Sequence, residues 1–165
     1  MRYEDIFDKL NEKRVSYVVV GGVAMALYGA MRMTADLDIV ISFERGNVLK
    51  FIEAMEELGF KPNVPAGAAS LAESSKRESF IKEKNMLVFS FYNSKEAMGL
   101  VDVLINEVVA YDGLKERSVT RKSVNTPIPV AALDDMIALK KASGRRQDLL
   151  DIEALEMIKK RGDAS

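Results

Sequence analysis

The sequence predicts a mixed α/β or α+β domain, a β-sheet flanked by helices and closed by a helical C-terminal segment. Three observations carry that expectation. Apolar residues recur at helical spacing near both ends, in Tyr3, Ile6, Phe7 and Leu10 and again in Leu149, Ile152, Leu155 and Ile158. Between them lie short runs with strand character, either β-branched or alternating. The chain has 165 residues, 48% of them hydrophobic, enough for one compact domain with a real core.

In order along the chain, residues 3–13 read as an amphipathic helix, with apolar positions at i, i+3, i+4 and i+7. Residues 16–20 are a β-branched run ended by Gly21-Gly22, a buried strand. Residues 23–30 (VAMALYGA) suit a short helix in which Gly29 lets another backbone approach closely. Residues 36–41 (DLDIVI) form a second strand, with Leu37, Ile39 and Ile41 on one face and Asp36, Asp38 and Val40 on the other. Residues 48–58 are a helix with Gly59 as its C′ residue.

From 61 to 79 the pattern weakens: Pro62, Pro65 and Gly67 mark a loop, with room for a short helix over 68–77. Residues 86–92 and 100–105 read as strands, and 119–124 as a weaker one. Pro127 and Pro129 then mark the approach to a helical third, so the expected division is a core over 1–126 and a helical segment over 127–165, packed as one domain. No repeat or low-complexity tract interrupts the chain.

The composition narrows the chemistry. With 24 basic and 25 acidic residues, the net charge of -1 argues against a disordered tail or a generally basic nucleic-acid coat. The absence of Cys removes disulfides, thiol nucleophiles and cysteine-ligated metals. The absence of His removes imidazole acid–base chemistry and Ser–His triads. What remains is carboxylates, lysines, hydroxyls, backbone amides or a hard metal. Acids at Glu4 and Asp5 do not suit a signal peptide, and the apolar run over 17–31 is short and broken by glycines, so a cytoplasmic protein without a membrane partner is expected.

Carboxylates at i and i+2 of a strand project to one face, about 6–7 Å apart at the backbone, and their oxygens can converge on a divalent ion. Mg²⁺ takes oxygen ligands, one or two carboxylates plus substrate phosphates. Asp36 and Asp38 meet that need, or are simply a solvated strand end. Asp102, embedded in the apolar LVDVLI, needs a cation partner, either a metal or a neighbouring Lys or Arg. Upstream, Gly21-Gly22 after a strand can present backbone amides to a phosphate, or merely terminate the strand. Arg32 either clamps a phosphate or holds its loop, and Thr34 either binds an oxygen or caps. Their order within 18 residues makes coincidence the poorer explanation.

The stretch VVVGGVAMALYGAMRMTADLDIVI resembles the signature of the DNA polymerase beta-type nucleotidyltransferase superfamily, in particular the small bacterial members associated with toxin–antitoxin and abortive-infection systems. The resemblance implies a nucleotidyltransferase-like mixed sheet. It also implies that Gly21 and Gly22 help hold a nucleoside triphosphate, and that Asp36, Asp38 and Asp102 bind two Mg²⁺, with Mn²⁺ as a substitute. Arg32 and Thr34 match the Arg-x-Thr/Ser-x-Asp lead-in of that branch. Its C-terminal stretch is echoed in MIALK (136–140) and GRRQDLLD (144–151). Gly22 departs from the superfamily's Ser, and Gln147 stands where a basic residue is common.

The implied reaction is in-line attack of a hydroxyl on an α-phosphate with pyrophosphate leaving, for which two metals suffice. Asp102 is expected to complete the metal site and to receive the proton. Lys140 and Arg145 are candidates for further phosphate or acceptor contacts. Residues 115–161 hold eleven basic and seven acidic residues, which suits an anionic acceptor such as an RNA end or equally a solvated helix face. Lys159, Lys160 and Arg161 read as a solvated helix end. The acceptor, an RNA or protein hydroxyl, is expected along the 61–79 loop and the C-terminal helices. Two alternatives stand beside transfer: a non-catalytic antitoxin or regulatory module binding a toxin–antitoxin partner, and metal-dependent phosphodiester hydrolysis.

Overall fold

The computed structural model describes residues 1–97 and 99–162. The chain runs α1 (Tyr3–Glu12), β1 (Tyr17–Val20), α2 (Gly21–Leu27), β2 (Asp36–Ile41), α3 (Arg45–Glu57), β3 (Lys61–Pro62), a 3-10 turn (Ala68–Ala72) and α4 (Ser74–Lys84). It continues through β4 (Val88–Tyr92), β5 (Leu100–Leu104), α5 (Tyr111–Arg117), β6 (Val119–Ser123), β7 (Thr126–Val130), α6 (Leu133–Ser143) and α7 (Arg146–Lys160). Among the described residues the strands form one mixed sheet in the order β3-β4-β5-β2-β1-β7-β6.

The sheet's middle follows from hydrophobicity. Tyr17 to Val20 are buried on both faces, so β1 needs cover on each side and takes an interior place. β2 pairs antiparallel with β1 and parallel with β5. Its Leu37, Ile39 and Ile41 are fully buried, as the alternation predicts. The buried face of α1 is Ile6, Phe7 and Leu10, and Phe7 stacks on Tyr17 with ring centroids 6.3 Å apart.

Three expectations are corrected. Gly29 does not admit a neighbouring backbone, since nothing lies within 4 Å of where its Cβ would be. Instead, at φ +91°, it ends α2 three residues earlier than the predicted helix, with Ala30 N–H donating to Met25 O at 3.0 Å. Gly59 ends α3 in the same way, as expected, with Phe60 N–H donating to Met55 O at 2.8 Å.

The second correction concerns Pro127 and Pro129, which lie inside a strand, β7, between β1 and β6. The sheet therefore continues through Val130, and helix resumes only at Leu133. The two-residue turn at Val124-Asn125 makes Ser123 and Thr126 a hydrogen-bonded pair, so both prolines fall at positions that donate nothing to β6. On their other side β1 pairs with β7 only at Val130. The prolines thus forfeit no ladder bond. Third, the short helix expected over 68–77 is a 3-10 turn followed by α4, which extends to Lys84. Among α4's residues only Phe80 is buried, so its sequence carries little helical periodicity. No described helix is long and apolar enough to cross a membrane. The last three residues of the predicted helical segment, 163–165, lie outside the described residues.

Candidate active site

Asp36 and Asp38 stand on one face of β2, and the parallel register sets Asp38 directly beside Asp102 on β5. On the far side of β5, β4 places Ser90 opposite Asp102, and its Oγ donates to Asp102 Oδ1 at 2.5 Å. The three carboxylates line a cleft of about 430 Å³ together with Gly21, Gly22, Arg32, Thr34, Lys140 and Arg145. All nine residues singled out in the sequence therefore meet at one place. None of the residues from 61 to 79 lines this cleft.

Gly21 is held against Asp38. At φ +69° it has a left-handed backbone, and a Cβ added there would lie 2.2 Å from Asp38 Oδ2. The carboxylate occupies the space a side chain would need. Gly22 is constrained differently: a Cβ there would lie 2.7 Å from Thr34 Cβ and 3.0 Å from Thr34 Oγ1. A serine at this position would meet Thr34, which explains the glycine. Thr34 Oγ1 donates to Asp36 O at 3.2 Å, tying the lead-in loop to the start of β2.

Like charges crowd the site. Burial, then the nearby Asp102 and Asp36, push the Asp38 carboxyl up to about 6 against the opposing pull of Lys140 and Arg145. Asp102 is also raised, chiefly by burial, while the Ser90 hydrogen bond pulls it down and Asp36 pushes it further up. Tyr3, whose hydroxyl donates to Thr34 O at 3.4 Å, is pushed to about 12 by burial and by Asp36 and Asp38.

The donor set is all oxygen, as a hard cation requires, and a cation there would relieve both repulsion and desolvation. Among the described residues, however, no three acidic side chains are drawn tightly enough to enclose a metal by themselves. Asp36, Asp38 and Asp102 fit an ion that completes its shell with water and substrate oxygens, the usual condition of Mg²⁺.

The basic side of the cleft is an ion network between α6 and α7. Lys140 Nζ donates to Asp151 Oδ2 at 2.7 Å and to Asp148 Oδ1 at 3.3 Å. Both acids are buried, with side-chain exposures of 3% and 1%. Asp148 also accepts from the Arg145 backbone N–H at 2.9 Å and from Arg145 Nε at 3.1 Å. Arg32 Nε lies 3.3 Å from Asp151 Oδ1, at ion-pair distance but outside hydrogen-bond geometry. Burial alone would raise Asp148, but hydrogen bonds from Arg145 and Ser143 and the charge of Lys140 hold it at about 2. Asp151 is likewise lowered, Lys140 and Gln147 outweighing its burial.

Sequence reasoning noted Asp148 and Asp151 only as part of a motif. Their i, i+3 spacing, which puts both on one helix face toward Lys140, was the available signal. Gln147, the position where a basic residue is common, donates to Asp151 Oδ1 at 3.2 Å and so serves this network.

The mixed seven-stranded sheet flanked by helices is a nucleotidyltransferase-like fold. Solved structures bear out the fold. The lincosamide antibiotic adenylyltransferase LnuA, in its lincomycin-bound crystal structure, is 18% identical with a TM-score of 0.61, covering 96% of this chain and 98% of LnuA. The antibiotic-resistance factor ANT(2'')-Ia is 12% identical with a TM-score of 0.59, covering 94% of this chain and 80% of that one. An antigenic nucleotidyltransferase-like protein from Paracoccidioides brasiliensis is 15% identical with a TM-score of 0.57, covering 92% and 72%. No protein-family model matches the sequence, and no curated protein matches it.

Proposed function

We propose that the chain is a Mg²⁺-dependent nucleotidyltransferase, moving a nucleoside monophosphate from a nucleoside triphosphate to an acceptor hydroxyl and releasing pyrophosphate. The observation that carries this reading is the side-by-side placement of Asp38 and Asp102 on parallel strands, beside a glycine turn packed on Asp38. Asp36, Asp38 and Asp102 would hold the metal, two Mg²⁺ or Mn²⁺, which neutralises phosphate charge and activates the attacking hydroxyl. Asp102, raised by burial and held by Ser90, accepts the hydroxyl proton.

The Gly21-Gly22 backbone and the Thr34 hydroxyl face the phosphates. Arg32 and Arg145 reach them with their guanidinium ends. Lys140 adds its charge from inside the network, where it already offsets Asp148 and Asp151. The resemblance in fold to LnuA and ANT(2'')-Ia supports the reaction class. It also sets a small molecule, such as the lincomycin bound by LnuA, beside the RNA or protein hydroxyl expected from the sequence.

Calorimetric titration with Mg²⁺ and ATP, GTP, CTP and UTP in turn tests the reading. Binding of at least one, lost in Asp36→Ala/Asp38→Ala, is expected. Binding of none, or binding indifferent to those substitutions, would sink it. The alternative reading is a non-catalytic antitoxin or regulatory module in which the three carboxylates turn nothing over. On that reading a toxin–antitoxin partner would still be neutralised by Asp38→Ala.

A further inference from the structure

The cleft carries basic side chains on one side only. Arg32, Lys140 and Arg145 line it from the β2 lead-in loop and from α6–α7. The sheet order β4-β5-β2-β1 puts a second wall on the opposite side of β2 from the glycine turn. That wall continues the face carrying Asp102: Leu104 and Asn106 follow at two-residue steps, and Val88 pairs with Leu104 across β4. Leu87 and Val108 form its rim, 50% and 44% exposed. Among the described residues no Lys or Arg lines this wall.

The three basic side chains are themselves matched to Asp148 and Asp151. What positive charge they have to offer lies on the Gly21-Gly22 side, where the triphosphate belongs. An RNA end would bring phosphodiesters to a wall with no cation to meet them.

We propose that the acceptor is a small uncharged alcohol or phenol whose apolar body lies on Leu87, Val88, Leu104 and Val108 and whose hydroxyl reaches Asp102. This rests on the nucleotidyl-transfer reading above. In the step itself the acceptor oxygen forms a bond to the α-phosphorus. The bond from the α-phosphorus to the bridging oxygen breaks, pyrophosphate leaves with that electron pair, and the acceptor proton passes to Asp102. The half-exposed Leu87 and Val108 give the apolar body its first contact at the rim.

The test is NMR on protein with labelled Leu, Val and Met methyls, in Mg²⁺ and a non-hydrolysable nucleoside triphosphate analogue. 2-Phenylethanol and cyclohexanemethanol are titrated in, and in separate arms an eight-nucleotide RNA and a tyrosine-containing peptide. Saturable shifts at the Leu87, Leu104 and Val108 methyls with either alcohol are expected. In Leu87→Asn/Val108→Asn, whose exposed rim positions tolerate a neutral polar side chain, the alcohol Kd should rise at least tenfold. Nucleotide binding followed at the Gly21 and Gly22 amides should not change. The proposal is overturned if neither alcohol moves these methyls, or if RNA or the peptide saturates them and the alcohols do not. Failure of the nucleotide to move the Gly21 and Gly22 amides would instead overturn the transferase reading.

Discussion

Replacing Gly21 by alanine tests the contact on which the site is built. Its Cβ would lie 2.2 Å from Asp38 Oδ2, 2.8 Å from Cγ and 2.9 Å from Cβ. Rotating the carboxylate clears the first two contacts but not the third, because β2 fixes the Asp38 Cβ. The strand and the turn must therefore separate. An L-residue in the left-handed region costs about 1–2 kcal/mol, and overpacking of this kind about 1–3 kcal/mol more. The expected loss is about 2–5 kcal/mol, or about 5–15 °C in Tm for a chain of this size. Gly29→Ala is the matched control: φ is +91° there, but nothing lies within 4 Å of the new Cβ, so only the backbone cost of about 1–2 kcal/mol remains. Urea unfolding of both variants, with unchanged m-values, measures the difference. Asp38→Gly, which removes the Asp38 Cβ, should show a coupling of about 1–2 kcal/mol with Gly21→Ala in a double-mutant cycle, expected only of residues in contact. Equal costs at Gly21 and Gly29, with no coupling to Asp38, would refute the reasoning.

Asp38→Asn should stabilise the metal-free protein at pH 7.5, with the gain vanishing near pH 4. The folded Asp38 binds its proton up to about 6, above an ordinary carboxyl near 4, so its ionisation destabilises the fold as pH rises through that window by about 3 kcal/mol. Thermal melts across pH 4–8, with and without Mg²⁺, check the sign. Lys140→Met, which leaves Asp148 and Asp151 buried without their shared cation, should cost about 3–5 kcal/mol in urea unfolding. Adding Asp148→Asn and Asp151→Asn should return most of it. Ser90→Ala should weaken Mn²⁺ binding, followed by electron paramagnetic resonance, several-fold, because Asp102 loses the donor that fixes its carboxylate. Ser90→Thr, which keeps the hydroxyl, should restore it.

The acidic face of β2 was legible from spacing alone, because a strand's period of two puts Asp36 and Asp38 on one side whatever surrounds them. The helix ending at Gly59 was legible for a similar reason: the cap depends on one residue's backbone freedom. Gly29 shows the limit, since sequence marks a glycine but not whether it serves a turn or a close approach. Pro127 and Pro129 show another. Proline was read as the end of the sheet, yet its missing N–H costs nothing where no neighbour asks for it, and that depends on where β1 lies.

What the sequence determined by itself was therefore local: five of the seven strands and most helices, the acid pair, the suspicion attached to an acid in an apolar strand, and the exclusion of thiol and imidazole chemistry. Only the tertiary structure set Asp102 beside Asp38, filled the space at Gly22 with Thr34, buried Asp148 and Asp151 around Lys140, and left one wall of the cleft without a basic side chain among the described residues. Backbone periodicity and caps act within a few residues of chain. Desolvation, Coulomb repulsion and steric exclusion act through space, between groups as far apart in sequence as Asp38 and Asp102.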